Sequence, residues 1–310
     1  MRALDHVDLT AAQITANSLP IPDPDSSAPW WTAGEVAWNI ATAYTINQYV
    51  IRATTRRVYR AIANSTGQTP ENSPLSWADV YPVNALAWAD MKTSTYTYSE
   101  SPFEITVRPG AISDVDLSGM VNVDTARLQV WDALGGTLIY EQTFSSFYWG
   151  GDLWVSYYFD LPYQRDRLKF TGVPSSATSE MTLTLESNDG SDIQISQIAF
   201  GRYVDLGLAE YGLEMQLRNF GGFEQDRFGV TTLRDGLVVV DLNGSDIVDA
   251  RDANRVSEFI RRNRNRVMVW EAVDDPLYDY LSTTGIAECS IRPENPAKAR
   301  MNFRVSGISA

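Results

Sequence analysis

Histidine is almost missing from this chain. His6 is the one imidazole in 310 residues. Histidine is the commonest acid–base and metal-binding side chain, so its scarcity removes Ser-His-Asp, Cys-His and histidine-built zinc sites together. Cysteine is equally scarce. Cys289 stands alone, so no intrachain disulfide can form and stability does not depend on oxidation. A small strand residue describes Cys289 better than a reactive thiol. No apolar run approaches the roughly 20 residues that span a bilayer. No basic–apolar–small pattern opens the chain as a signal peptide would, and the single cysteine is compatible with synthesis in a reducing cytosol. The nucleophile-elbow, phosphate-loop and dinucleotide fingerprints are missing as well. Basic residues are outnumbered, 25 Lys and Arg against 39 Asp and Glu, for a net charge of −14. That balance argues against general nucleic-acid affinity, which needs basic surface to displace counterions. It favours solubility instead.

Aromatic residues are plentiful, with nine Trp and fifteen Tyr. Both suit sugar stacking and permanent interfaces, because each offers a large rigid contact with a polar handle. The length allows two or three domains, each with its own core. No internal repeat or low-complexity tract is visible.

Residues 43–90 are the most informative stretch. An aromatic-led strand enters a polar turn, a second strand (Arg57-Val58-Tyr59-Arg60-Ala61) runs into Asn64-Ser65-Thr66-Gly67, a Pro-containing loop follows, and Trp77 returns. The order Tyr44, Val50, Tyr59, Ala61, Asn64, Gly67, Pro70, Trp77 resembles the small modules of carbohydrate-binding families 5 and 12. Asn47-Gln48 stands where those modules have a Gly-Asp turn. Pro82, Asn84 and Asp90 fit the Pro-x-Asn-x5-Asp segment that often follows such a module in tailed bacteriophages, ahead of a β-rich domain. The chain thus resembles a phage tail-tip or baseplate protein of the distal-tail kind. The resemblance implies a structural virion protein made in the bacterial host cytoplasm and located in the phage tail.

Along the chain, residues 1–29 read as one strand or short helix followed by a Pro-rich extended arm, either an irregular link or a segment lying on a neighbouring subunit. Residues 30–92 form the small three-stranded aromatic module. Residues 93–206 carry seven or eight alternating segments, among them Phe103-Glu104-Ile105-Thr106-Val107 and Trp154-Val155-Ser156-Tyr157-Tyr158-Phe159, which predict a β-sandwich or jelly roll. Gly135-Gly136 and Asp189-Gly190 are its hairpin signals. Residues 207–310 predict an α+β oligomerisation unit. There Leu237–Asp241 is a strand, Asn243-Gly244 breaks it, and Ser245 or Asp246 caps a helix to about Arg262 with Ala253, Val256, Phe259 and Ile260 on one face. Glu288–Ile291 and Asn302–Val305 make a final strand pair. The mixture resembles tail-tube folds. The expected class is therefore mainly β with one main helix.

Four groups of residues carry candidate chemistry. Asp152, Asp160 and Asp166 lie near an aromatic cluster at 147–158, but carboxylates in an acidic protein are mostly solvated surface, and a glycosidase pair is the weaker reading. Trp30, Trp31, Tyr59, Trp77, Trp149 and Trp154 are the carbohydrate-binding candidates, each readable also as core or subunit contact. Asp241, Asn243, Ser245, Asp249 and Asp252 have oxygen donors at calcium-loop spacing. Asp246, however, stands where that loop needs Gly, and a strand, turn and capped helix explain the same residues, so no metal is expected. Arg261, Arg262, Arg264 and Arg266 exceed what a helix C-terminus needs and are interface candidates toward a second copy.

The sequence thus leads to a non-enzymatic subunit of a phage tail tip without cofactor, ring-forming with itself. Its β-modules would face host-surface glycan or other tail proteins, with no nucleic acid and no membrane insertion. The alternative is a free carbohydrate-binding protein, or the non-catalytic module of a polysaccharide-degrading system.

Overall fold

The computed structural model describes residues 1–19, 36–52, 54–92, 94–148, 163–225, 231–234, 238–274, 278 and 280–308. Among them the chain is mainly β with one main helix. Two units are present. Val7–Asp90 with Thr95–Phe200 make a sandwich unit; Met1–His6, Met91–Ser94 and Gly201–Ala310 make a helix unit.

Within the sandwich unit, strands Tyr49–Arg52, Arg57–Ala61 and Trp77–Pro82 form the expected antiparallel meander, and Val36–Ala37 adds a short parallel strand. Val50 faces Tyr59 and Ile51 faces Val58 in register. Alternation therefore sends Val50 and Tyr59 to one core with Tyr44, Ala61 and Trp77, and Ile51 and Val58 to another with Val83 and Ala85. Both faces of this small sheet are covered. Asn47 has φ 71°. Asn is among the few residues other than Gly that tolerate this left-handed region, so Asn47-Gln48 can hold the turn that Gly-Asp makes elsewhere.

Two sheets of the same unit enclose one core. The first runs Leu138–Ser145, Thr125–Trp131, Glu180–Glu186, Phe103–Val107, Ile14–Asn17; the second includes Arg167–Thr171, Asp114–Val121 and the start of Ile193–Asp205. Period-two alternation supplies Ile105, Leu128 and Leu183 from one side and Leu117, Phe170 and Ile195 from the other. Gly135 and Gly190 take positive φ at the two expected hairpins. At the second, Asp189 Oδ1 accepts from Ser187 Oγ and Ser191 N–H, which lowers its carboxyl to about 2.

The helix unit orders its strands as the end of Ile193–Asp205, then Arg2–His6, Met268–Glu271, Ser282–Asn295, Lys298–Gly307 and Val238–Asp249, with Leu208–Ala209 and Glu214–Asn219 both pairing the last. Cys289 faces Phe303 in the expected final pair. The helix Ala253–Arg262 lays Val256 and Phe259 on a core of Met1, Leu242, Met268, Trp270, Met301 and Val305.

The strand read near the start of residues 1–29 is Arg2–His6; it pairs on both sides, and Ala3 and Leu4 are fully buried. Two expectations for these residues are corrected. Asn243-Gly244 does not break the strand, which continues to Asp249. A Cβ at Gly244 would lie 2.3 Å from Leu213 Cδ2 and 3.0 Å from Phe303 Cζ, so those side chains would have to shift to admit one. The helix therefore begins later, at Ala253, with Asp252 as its N-cap. The Pro-rich segment 20–25 and the expected strand at 154–159 lie outside the described residues.

Candidate functional surfaces

Aromatic candidates divide sharply. Trp77 is 2 % exposed. Its ring meets Tyr44 edge-on at 5.2 Å, and its Nε1–H donates to the Gln68 carbonyl at 3.1 Å. Tyr59 is buried in the same cluster. A ring enclosed on both faces cannot stack on a sugar, so Tyr59 and Trp77 are corrected from ligand candidates to core. Trp30, Trp31, Trp149 and Trp154 lie outside the described residues, as do Asp152 and Asp160. Trp38 is half-buried under the Arg52 guanidinium at 4.5 Å, and Arg52 is held in turn by Glu71. Asn84, singled out by the phage-like pattern, is a clamp. Its amide donates to the Tyr98 carbonyl at 2.8 Å and accepts from the Tyr98 N–H at 2.9 Å. Asp90 accepts from Thr95.

The calcium-loop residues are dispersed. Asp241, Asn243, Ser245 and Asp249 share one extended strand, where eight residues span about 26 Å. They cannot converge on one ion. Asp241 accepts from the Gly307 N–H and from Arg218, Ser245 donates to Glu210, and Asp252 pairs with Arg255. Among the described residues no cluster of His, Cys, Asp and Glu is placed to hold a metal.

The four arginines do not act alike. Arg261 pairs with Glu258 on its own helix. Arg266 Nη1 reaches Asp5 at 3.1 Å and Nη2 donates to the His6 carbonyl, which ties the chain after the helix to the first strand. Arg266 is thereby structural. Arg262 and Arg264 are exposed and make no ion pair among the described residues. The Asn263 side chain donates to the Phe259 carbonyl and closes the helix end.

The helix unit encloses a charge pair completely. The Met1 ammonium lies 2.8 Å from Asp246, both fully enclosed, and donates to the Gly207 carbonyl. Burial raises the Asp246 carboxyl despite that cation. Burial first, and the Asp246 charge second, push the Cys289 thiol up to about 12. His6 is buried in its strand.

Sequence reasoning missed one surface. Glu214–Asn219 pairs with Val238–Asp249 on one side and with no described strand on the other. Along this open edge Leu217 is 60 % exposed, Phe220 59 % and Val238 55 %, while Leu208, 79 % exposed, pairs seven positions further along the same neighbouring strand, about 23 Å away. The available signal was Leu208, Tyr211, Leu217 and Phe220 within a short polar stretch. Among the described residues no helix is long and apolar enough to cross a membrane. Comparison with protein-family models, curated proteins and solved structures matches nothing to this chain.

Proposed function

We propose that this chain is a structural subunit of a bacteriophage tail tip or baseplate, working by assembly and binding and breaking no bond. It assembles with itself, and its β-modules contact host-surface glycan or dock other tail proteins. The observation that carries the assembly reading is the open edge Glu214–Asn219 with its exposed Leu217 and Phe220. Proteins that work alone blunt such edges with charged side chains, Pro or bulges. This strand has no Pro, and its two charges, Glu214 and Arg218, are of opposite sign. Clustered exposed apolar side chains of this size mark contact surfaces.

The phage assignment rests on the residue pattern from Tyr44 to Asp90. The aromatic core at Tyr44, Tyr59 and Trp77 and the Asn84 clamp support it, because the pattern residues do structural work together. With Tyr59 and Trp77 enclosed, the small module's role is docking. Glycan contact then falls to Trp30, Trp31, Trp149 and Trp154. Exposed Arg262 and Arg264 offer a second contact toward acidic surface. Native mass measurement of the purified chain tests the reading. A species at multiples of 34.6 kDa is expected, and a monomer at every concentration and salt tried would sink it.

A further inference from the structure

We propose that the edge strand Glu214–Asn219 pairs antiparallel with the same strand of a second copy of this chain, centred on Gln216. This rests on the assembly reading and names the partner and register at that edge. A strand with one neighbour turns half of its backbone N–H and C=O groups outward, ready for another strand. The side chains then select which strand. Antiparallel pairing centred on Gln216 sets Glu214 of each copy opposite Arg218 of the other, and Met215 opposite Leu217. Opposite charges meet twice and apolar side chains meet twice. Moving the centre to Met215 or Leu217 sets a charge against Gln216. Moving it to Glu214 or Arg218 sets like charges face to face. One register thus satisfies the whole strand.

The surrounding geometry agrees. Residues 215 and 217 share a face, since side chains alternate along a strand. Met215 already packs against the helix-unit core, while Leu217 on the same face remains 60 % exposed. In the pair, Leu217 of each copy lies beside Met215 of the other, and the apolar layer continues across the junction. Arg218 reaches inward to Asp241 and the Gly307 carbonyl through Nη2. Pairing with Glu214 of the second copy turns its guanidinium outward across the junction. The contact is isologous and joins two chains. A ring would be made of such pairs and closed by another surface.

Disulfide trapping tests the register. Directly opposed residues lie about 4.5–5.5 Å apart at Cα, within disulfide reach. Gln216→Cys in the full-length chain is therefore expected to form a reducible covalent dimer of twice 34.6 kDa under mild oxidation. Glu214→Cys is the control, because the two copies of residue 214 are offset by four positions, about 13 Å, beyond reach. Native Cys289 is held as an unreactive thiol and does not compete. Leu217→Lys, at an exposed position, should keep the far-ultraviolet spectrum and lose the dimer. Efficient Gln216→Cys trapping with a silent Glu214→Cys supports the pairing. An oligomeric wild-type chain whose Gln216→Cys variant does not cross-link, or cross-links no better than Glu214→Cys, overturns the pairing and leaves the assembly reading standing. A monomeric wild-type chain overturns both.

Discussion

Trp77→Ala separates a packing role from a sugar-binding role for the small module. Trp77 is 2 % exposed, packs edge-on against Tyr44 and donates its indole N–H to the Gln68 carbonyl. Truncation removes most of a large side chain from a cluster whose other buried members are Tyr44, Val50, Tyr59 and Ala61. Enclosed aromatic-to-alanine changes cost about 3–5 kcal/mol, the lost ring pair included. That is a large part of the roughly 5–15 kcal/mol that holds a domain folded. For a unit of this size the midpoint of thermal unfolding should fall by roughly 6–20 °C. Trp77→Phe keeps most of the volume and loses the N–H bond, and should cost about 1 kcal/mol for that bond plus a small packing loss. Circular dichroism melts of both variants, with amide exchange at residues 49–61, provide the readout. A Trp77→Ala chain that melts within a degree or two of wild type refutes the core assignment. If it also lost affinity for a host-envelope polysaccharide, Trp77 would return to the binding residues.

Asp246→Ala leaves the enclosed Met1 ammonium with only the Gly207 carbonyl; breaking a buried pair in this way should cost about 3–5 kcal/mol in a denaturant titration. Cys289, raised from 9.0 to about 12, should react with iodoacetamide about a thousandfold more slowly in the native chain than in urea at the same pH, each pH unit being tenfold in thiolate. Because its folded value lies above its unfolded one, its stabilising effect is complete below pH 9 and is lost as pH rises toward 12. Alkaline melts should show that decline, and Cys289→Ser should flatten it. Arg262→Glu with Arg264→Glu should weaken salt-sensitive association and leave the melting point nearly unchanged, whereas Arg266→Glu, which breaks the contacts to Asp5 and His6, should lower the melting point.

Local signals were the readable ones. Segments 103–107 and 181–185 alternate within themselves, and the glycines at 135 and 190 announce their own turns, so strands and hairpins there could be placed from neighbours alone. The rest depends on distant partners. The first strand was read, but Arg2–His6 is interior because Tyr203 and Trp270 flank it, more than 190 residues away. Asn243-Gly244 reads as a turn by type, yet both residues pair in register with Arg304 and Phe303 and stay in the strand. Arg266 counts as one of four helix-end cations until Asp5 is brought to it. Tyr59 and Trp77 look alike as ligand rings or core rings, because nothing local reveals that both faces of the small sheet are covered. The open edge was invisible for the same reason: an edge is defined by the neighbour a strand lacks.

Charge distribution narrows where copies of this chain can meet. The sandwich unit carries nine Lys and Arg against twenty-one Asp and Glu, a net of −12. The helix unit carries sixteen against eighteen, a net of −2. Two sandwich units brought together repel one another, and the repulsion lengthens in range as salt falls. Two helix units meet with little electrostatic opposition. The exposed apolar side chains of the open edge and the exposed Arg262 and Arg264 belong to the helix unit. Contact between copies through the edge strand should therefore survive low salt. A docking of Arg262 and Arg264 onto acidic sandwich surface should strengthen there. Association measured across ionic strength thus resolves two surfaces by the size of the response: the edge contact, whose two exposed Glu214–Arg218 pairs contribute little each, changes modestly, while the arginine contact falls away as salt rises.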